Sequence, residues 1–157
     1  MPFRYRLQKV LDFRIRKKEE QLQEVIKAKQ EVLRVEGLIE ANKQEISSTR
    51  VNMRKADFMM MEAYDNYLKH LYEKAETLEE DKKKVLAKLE EEKEKLVEAE
   101  KEVKVLEKHK ERAHEVYIAE EKNAELKQLS EVAVQKYFEK TKIKREEEML
   151  EEAEGDN

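Results

Sequence analysis

Between Pro2 and Gly155 the chain offers almost nothing that stops a helix. Its 157 residues contain one proline and two glycines. Pro2 sits where proline can open a helix without losing a needed hydrogen bond. Gly37 stands alone in a periodic stretch, where it costs about 1 kcal/mol relative to alanine without ending the helix. Charged residues make up 46% of the chain, against roughly one quarter in an average soluble domain. With 39% hydrophobic residues dispersed singly among those charges, a broad globular core is excluded, and a thin seam between long helices remains.

The seam is visible as a ladder. Leu11, Val25, Val32, Ile39, Ile46, Met53 and Met60 repeat every seven residues or multiples of seven, with Lys18 as a polar member. Val35, Asn42, Thr49 and Ala56 follow at +3. Spacing that averages 3.5 defines a coiled-coil face. A second ladder runs through Leu89, Leu96, Ala99, Val103, Leu106, Ala113, Tyr117 and Ala124, and shifts phase near Leu126, Leu129, Val132 and Ala133.

A single helix of this length would reach about 230 Å, so a fold-back or a dimer is expected. Ser47, Ser48, Thr49, Val51 and Asn52 lower helix propensity ahead of Asp57, which can cap a following helix. Thr77-Leu78-Glu79-Glu80 matches a capping box and marks a later alternative, at 75–81. The earlier turn predicts an all-α, antiparallel two-helix coiled coil whose second helix is the longer. It is read as one domain over 1–157, with helix one about 3–52, a turn about 52–58, helix two about 58–145 and a frayed acidic tail 146–157. Pairing positions whose numbers add to about 110 sets Val25 against Val85, Val32 against Leu78, Ile39 against Leu71 and Ile46 against Tyr64.

Chemistry-bearing constellations are few. The chain has no cysteine and three histidines, His70, His109 and His114. The last two are spaced i, i+5 and diverge on a helix, so no metal and no cofactor is expected. Glu/Lys runs such as Glu90-Glu91-Glu92-Lys93-Glu94-Lys95 read as a solvated face rather than acid/base pairs, because nothing encloses them. No stretch reaches the roughly 20 apolar residues of a membrane span, and the basic N-terminus lacks the apolar run of a signal peptide. A soluble, unexported non-enzyme is expected. Seven bases against Asp12 crowd residues 1–18, while the tail from Glu139 holds eight acids and four bases. Nucleic acid is disfavoured as a partner, since the chain has a formal charge of −4 and lacks a zipper behind its basic end.

One segment departs from the charged monotony: Phe58-Met59-Met60-Met61-Glu62-Ala63-Tyr64-Asp65-Asn66-Tyr67-Leu68-Lys69-His70-Leu71-Tyr72. A two-helix seam buries only one stripe. If Met60, Tyr64 and Leu71 face helix one, Tyr67, Leu68 and Tyr72 lie at its edges or outside, as an adhesive patch.

Phe3-Arg4-Tyr5-Arg6-Leu7-Gln8-Lys9-Val10-Leu11 resembles the opening of the flagellar export protein FliJ family. Ala63-Tyr64-Asp65-Asn66-Tyr67-Leu68-Lys69-His70-Leu71 and Glu120-Glu121-Lys122-Asn123-Ala124-Glu125-Leu126-Lys127-Gln128-Leu129-Ser130-Glu131 resemble later parts of that family, in the same order. The resemblance implies a rod-like stalk of the flagellar type III export apparatus, without enzymatic activity. Its implied partners are the export ATPase FliI with its regulator FliH, the export gate protein FlhA and the export chaperones. The implied location is cytoplasmic, at the inner face of the cell membrane at the flagellar base, held there through partners only. Tyr64, Tyr67, Leu68, Leu71 and Tyr72 would face the gate. Arg4, Arg6, Arg14, Glu121, Lys122, Glu125 and Glu131 would face the ATPase ring. A structural homodimer and a general holdase chaperone are the alternatives.

Overall fold

A computed structural model describes residues 1–155. It contains two long α-helices and no strand among the described residues: α1 spans Gln8–Lys55, α2 spans Met61–Gly155, and a single 3-10 turn, Phe58–Met60, joins them. The fold is all-α, with the second helix nearly twice the first. Two compact units divide it, Leu7–Glu107, and Met1–Arg6 together with Lys108–Asn157.

The helix ends fall where local chemistry and packing set them. Helix one was expected from about residue 3, yet α1 begins at Gln8, and its first bond runs from Leu11 N–H to Leu7 O at 2.9 Å. Arg54 and Lys55 occupy the last turn of α1, where cations complement exposed carbonyls. Ala56 and Asp57 are extended, with ψ of 157° and 150°. Asp57 makes no side-chain cap; its carbonyl accepts from Met60 N–H at 2.9 Å, closing the 3-10 turn. Residues 75–81 lie inside α2, where Thr77 Oγ1 donates back to Glu73 O at 3.1 Å rather than capping a new helix. The helix continues there because Leu71 and Leu78 are both buried in the seam. α2 also runs through 146–155, the stretch expected to fray; Asp156 and Asn157 lie outside the described residues.

In the unit Leu7–Glu107 the helices pair antiparallel. α1 buries Leu11, Val25, Ala28, Val32, Val35, Asn42 and Thr49, and α2 buries Leu68, Leu71, Leu78, Leu89 and Val103. Val25, Ala28, Val32 and Leu89 form one cluster, with Val85 and Leu96 packed against it. Each fully buried Val or Leu contributes about 1.5–3 kcal/mol through removal of apolar surface from water. Two polar groups share the seam. Asn42 Nδ2 donates to Leu71 O at 3.1 Å, while its Oδ1 has no partner. Thr49 Oγ1 satisfies itself on Glu45 O, 2.7 Å away on its own helix.

The register differs from the expected one. Asn42 meets Leu71, where the expected pairing gave it Leu68, and Gln21 meets Glu92 instead of Leu89. Both contacts lie three positions further along α2, and Leu71 answers Asn42 rather than Ile39. The link through Ala56–Met60 is centred later than residue 55, which displaces every pair. Within α1 the track Ala28-Val35-Asn42-Thr49 is buried throughout, while Ile39, Ile46 and Met53 on the neighbouring track are half-buried.

In the unit formed by Met1–Arg6 and Lys108–Asn157, the first six residues lie along the early part of that helical segment. Tyr5 is buried and Phe3, Lys110, Ala113 and Tyr117 are half-buried, whereas every described residue from Ile118 onward except Thr141 is exposed.

Candidate interaction surfaces

The segment Phe58–Tyr72 is sorted by the helix period once α2 begins at Met61. Leu68 and Leu71, 9% and 2% exposed, turn into the seam. Met60, expected inside, is half open at 51%, because residues 58–60 belong to the 3-10 turn and leave the heptad phase. Tyr64 is half-buried and, with Met60, Ala63 and Tyr67, lines a shallow groove of about 160 Å³. Tyr67 and Tyr72 are each 41% exposed at the rims. Both reach back to α1: Tyr67 donates its hydroxyl to the Glu45 carboxylate, and Arg50 donates to the Tyr72 hydroxyl with its guanidinium 5.6 Å from the ring centre. The hydrogen bond to Glu45 holds the Tyr67 hydroxyl above its ordinary pKa of 10.0, with desolvation and the carboxylate charge adding to it. The result is a row of tyrosines with fixed heads and open ring faces, backed by two buried leucines. Beside it Phe58 and Met59, 90% and 92% exposed, crown the link between the helices.

The residues expected to face an ATPase ring are divided between the two units. Arg14 pairs with Glu102 inside the hairpin unit. Arg4 and Arg6 are exposed on the leading segment of the other unit and join no ion pair among the described residues. Lys122, Glu125 and Glu131 are exposed on the helical segment of that same unit. Glu121 is more involved, its carboxylate 2.5 Å from the Tyr117 hydroxyl. That bond, then desolvation, raises the Tyr117 pKa above 10.0.

Sequence reasoning missed what holds Arg4 and Arg6 in place. Phe3 packs edge-on against His114, ring centres 5.0 Å apart, and lies 5.5 Å from Tyr117. Tyr5 OH and His109 Nδ1 are 2.8 Å apart, and the Tyr117 hydroxyl, besides its bond to Glu121, lies against the Met1 carbonyl. The two histidines each take a different aromatic residue of the leading segment. The signal was the alternation Phe3-Arg4-Tyr5-Arg6, an extended pattern with two rings on one side and two cations on the other.

Elsewhere the surface carries ion pairs at helical spacing, such as Lys95 with Glu91 and Glu92, both at 3.3 Å. Gln21 Nε2 donates to Glu92 Oε2 at 2.5 Å and pulls that carboxyl below its ordinary pKa, while Glu92 and Glu91 raise Lys95. Among the described residues no three His, Cys, Asp or Glu side chains converge on a metal-sized site, and no helix is long and apolar enough to cross a membrane.

A family model described as "Flagellar FliJ protein" matches residues 3–142. No curated protein and no solved structure matches the chain.

Proposed function

The chain belongs to the FliJ family, a non-enzymatic component of flagellar protein export, and we propose that it serves there as a stalk for the export ATPase ring. In this reading it binds FliI, with its regulator FliH, and promotes assembly and activity of the ring. It also touches the gate protein FlhA and recycles the export chaperones, from a cytoplasmic position at the inner face of the membrane. The observation that carries the reading is the extent of the family match, which takes in the hairpin, the tyrosine row and the helix beyond. A rod promotes ring assembly only if it binds the assembled ring more tightly than free subunits. Contacts to the ring are assigned to Arg4, Arg6, Arg14, Glu121, Lys122, Glu125 and Glu131.

The gate contact is assigned to Tyr64, Tyr67 and Tyr72, with Leu68 and Leu71 supporting them from the seam. Tyrosine suits this work because the ring supplies contact area while the hydroxyl stays hydrogen-bonded. Turnover by the purified export ATPase, measured over a range of its concentrations, tests the stalk. Addition of this chain is expected to move half-maximal specific activity to lower enzyme concentration, and an unchanged curve refutes the stalk role. Capture of the gate protein's cytoplasmic part tests the tyrosine row. Tyr67→Ala is expected to weaken it at least about fivefold, the effect of an anchor residue, and full capture by the variant removes the assignment.

A further inference from the structure

Glu45 is an acid with no base to face. Three and four positions away on its own helix stand Asn42, Ala41, Ser48 and Thr49. The i, i+3 and i, i+4 pairing that occupies Glu24, Glu31 and Glu98 is therefore closed to it, and no ion pair among the described residues includes it. Its carboxylate instead reaches across the seam and accepts from the Tyr67 hydroxyl, 22 positions further along the chain on α2. Exposed charged contacts add little to stability, so the consequence of this one lies in what Tyr67 does.

The Tyr67 ring is one wall of the groove of about 160 Å³ that Met60, Ala63 and Tyr64 complete. That volume lies below the roughly 300 Å³ at which small-molecule pockets begin, and it suits a single side chain of a protein. With its hydroxyl spent on Glu45, Tyr67 shows the groove a ring face and no free donor, so the side chain it takes is apolar. We propose that Glu45 is a positioning residue for this groove: it holds the Tyr67 ring in the orientation that an apolar partner side chain needs, without touching the partner. A tyrosine left loose has to be ordered when the partner arrives, and a ring already held avoids that cost. The inference rests on the gate reading above and adds to it a residue of α1 that the assigned contacts leave out. Arg50 supplies the internal comparison. It donates to the Tyr72 hydroxyl, from five positions further along α1 and about 140° round the helix from Glu45, and so holds a different rim.

Dissociation constants of the full chain for the gate protein's cytoplasmic part, measured by isothermal titration calorimetry, test the role. Glu45→Ala should weaken binding about threefold, the ordering cost of one side chain. Tyr67→Phe keeps the ring, loses the hydroxyl and should do the same. The double variant Glu45→Ala/Tyr67→Phe should be no weaker than either single one, because both remove one bond. Glu45→Gln should bind within about twofold of the wild type, since its side-chain carbonyl still accepts from the hydroxyl. A full Glu45→Ala loss in the Tyr67→Phe background overturns the proposal, because Glu45 then acts on the partner itself. A Glu45→Gln chain as weak as Glu45→Ala overturns it too, because the charge is then the active feature. In the free chain, carbon relaxation of labelled tyrosine rings reads the positioning directly. Glu45→Ala should loosen the Tyr67 ring and Arg50→Ala should leave it as tight as in the wild type, whereas a Tyr67 ring unmoved by Glu45→Ala overturns the proposal. Where the wild type itself fails to bind, the gate assignment falls, and ring relaxation alone decides what Glu45 does.

Discussion

The unit Leu7–Glu107 and the helical segment from Lys108 onward are written in the same alphabet of Glu, Lys, Leu and Val, and both are helical. Only the first has a core. Ten of the eleven buried apolar residues lie in it, and Tyr5 is the one that does not. Helix formation and burial are therefore separate consequences of one pattern. Charged residues with few breakers make a helix wherever they stand, through propensity and i, i+4 pairing. A seam becomes a core only where a second helix faces it. Most helical stability in proteins comes from such packing rather than from propensity, so the two regions should answer differently to the same perturbations.

The sharpest contrast comes from truncating one leucine in each region. Leu71→Ala should destabilise the hairpin by about 2–5 kcal/mol, the cost of a cavity in a seam. Leu129→Ala should change monomer stability by about 0.5 kcal/mol or less, as exposed positions do. Chemical denaturation of dilute protein measures both, and equal losses would erase the contrast. Amide hydrogen exchange should follow the same division. Amides near Val32 and Leu89 should open only with global unfolding, and those from about residue 120 onward with far smaller opening energies.

Asn42→Leu comes next in size. It removes the orphaned Oδ1 from the seam and should raise hairpin stability by about 1 kcal/mol. A buried asparagine also selects one register at a cost in stability. Paramagnetic distance measurements between Gln21 and Glu92 should therefore broaden in this variant, and an unchanged distribution would show that the turn alone sets the pairing. Gly37→Ala should stabilise by about 0.5–1 kcal/mol, since a methyl group there meets nothing within 4 Å.

The smallest effect is electrostatic. The Glu92 carboxyl is depressed by Gln21 and Lys95, so its contribution is present above the unfolded value of 4.5 and is lost as pH falls through the lower folded value. Tyr67 acts in the opposite sense. Its folded pKa lies above 10.0, so its contribution holds below that pH and disappears as pH rises through the folded value. Gln21→Leu and Glu45→Ala should flatten the acid and alkaline limbs of the stability curve respectively.

How much of this was written in the chain follows from which forces are local. The two helices and their unequal lengths were legible, because scarcity of breakers and a seven-residue ladder are local facts. The pairing register was not. A ladder repeating every seven residues scores several offsets alike, and the link's extended Ala56 and Asp57 decide among them. Leu68 was placed outside and Met60 inside for the same reason, since three residues of 3-10 turn rotate the phase of everything after them. Among the candidate contact residues, the open faces of Tyr67 and Tyr72 were legible from the width of a two-helix seam. The clasp of Phe3 and Tyr5 on His109, His114 and Tyr117 was not, because it joins positions more than one hundred residues apart and needs the fold first.

The link between the helices bends without a single left-handed residue; no position with positive φ occurs among the described residues. Positions 58 and 59 therefore do not demand glycine, and their backbone gives no reason for Phe58 and Met59 in particular. Replacing both with serine should leave the melting curve where it is, and the protein would lose only two greasy knuckles that the solvent now has to tolerate.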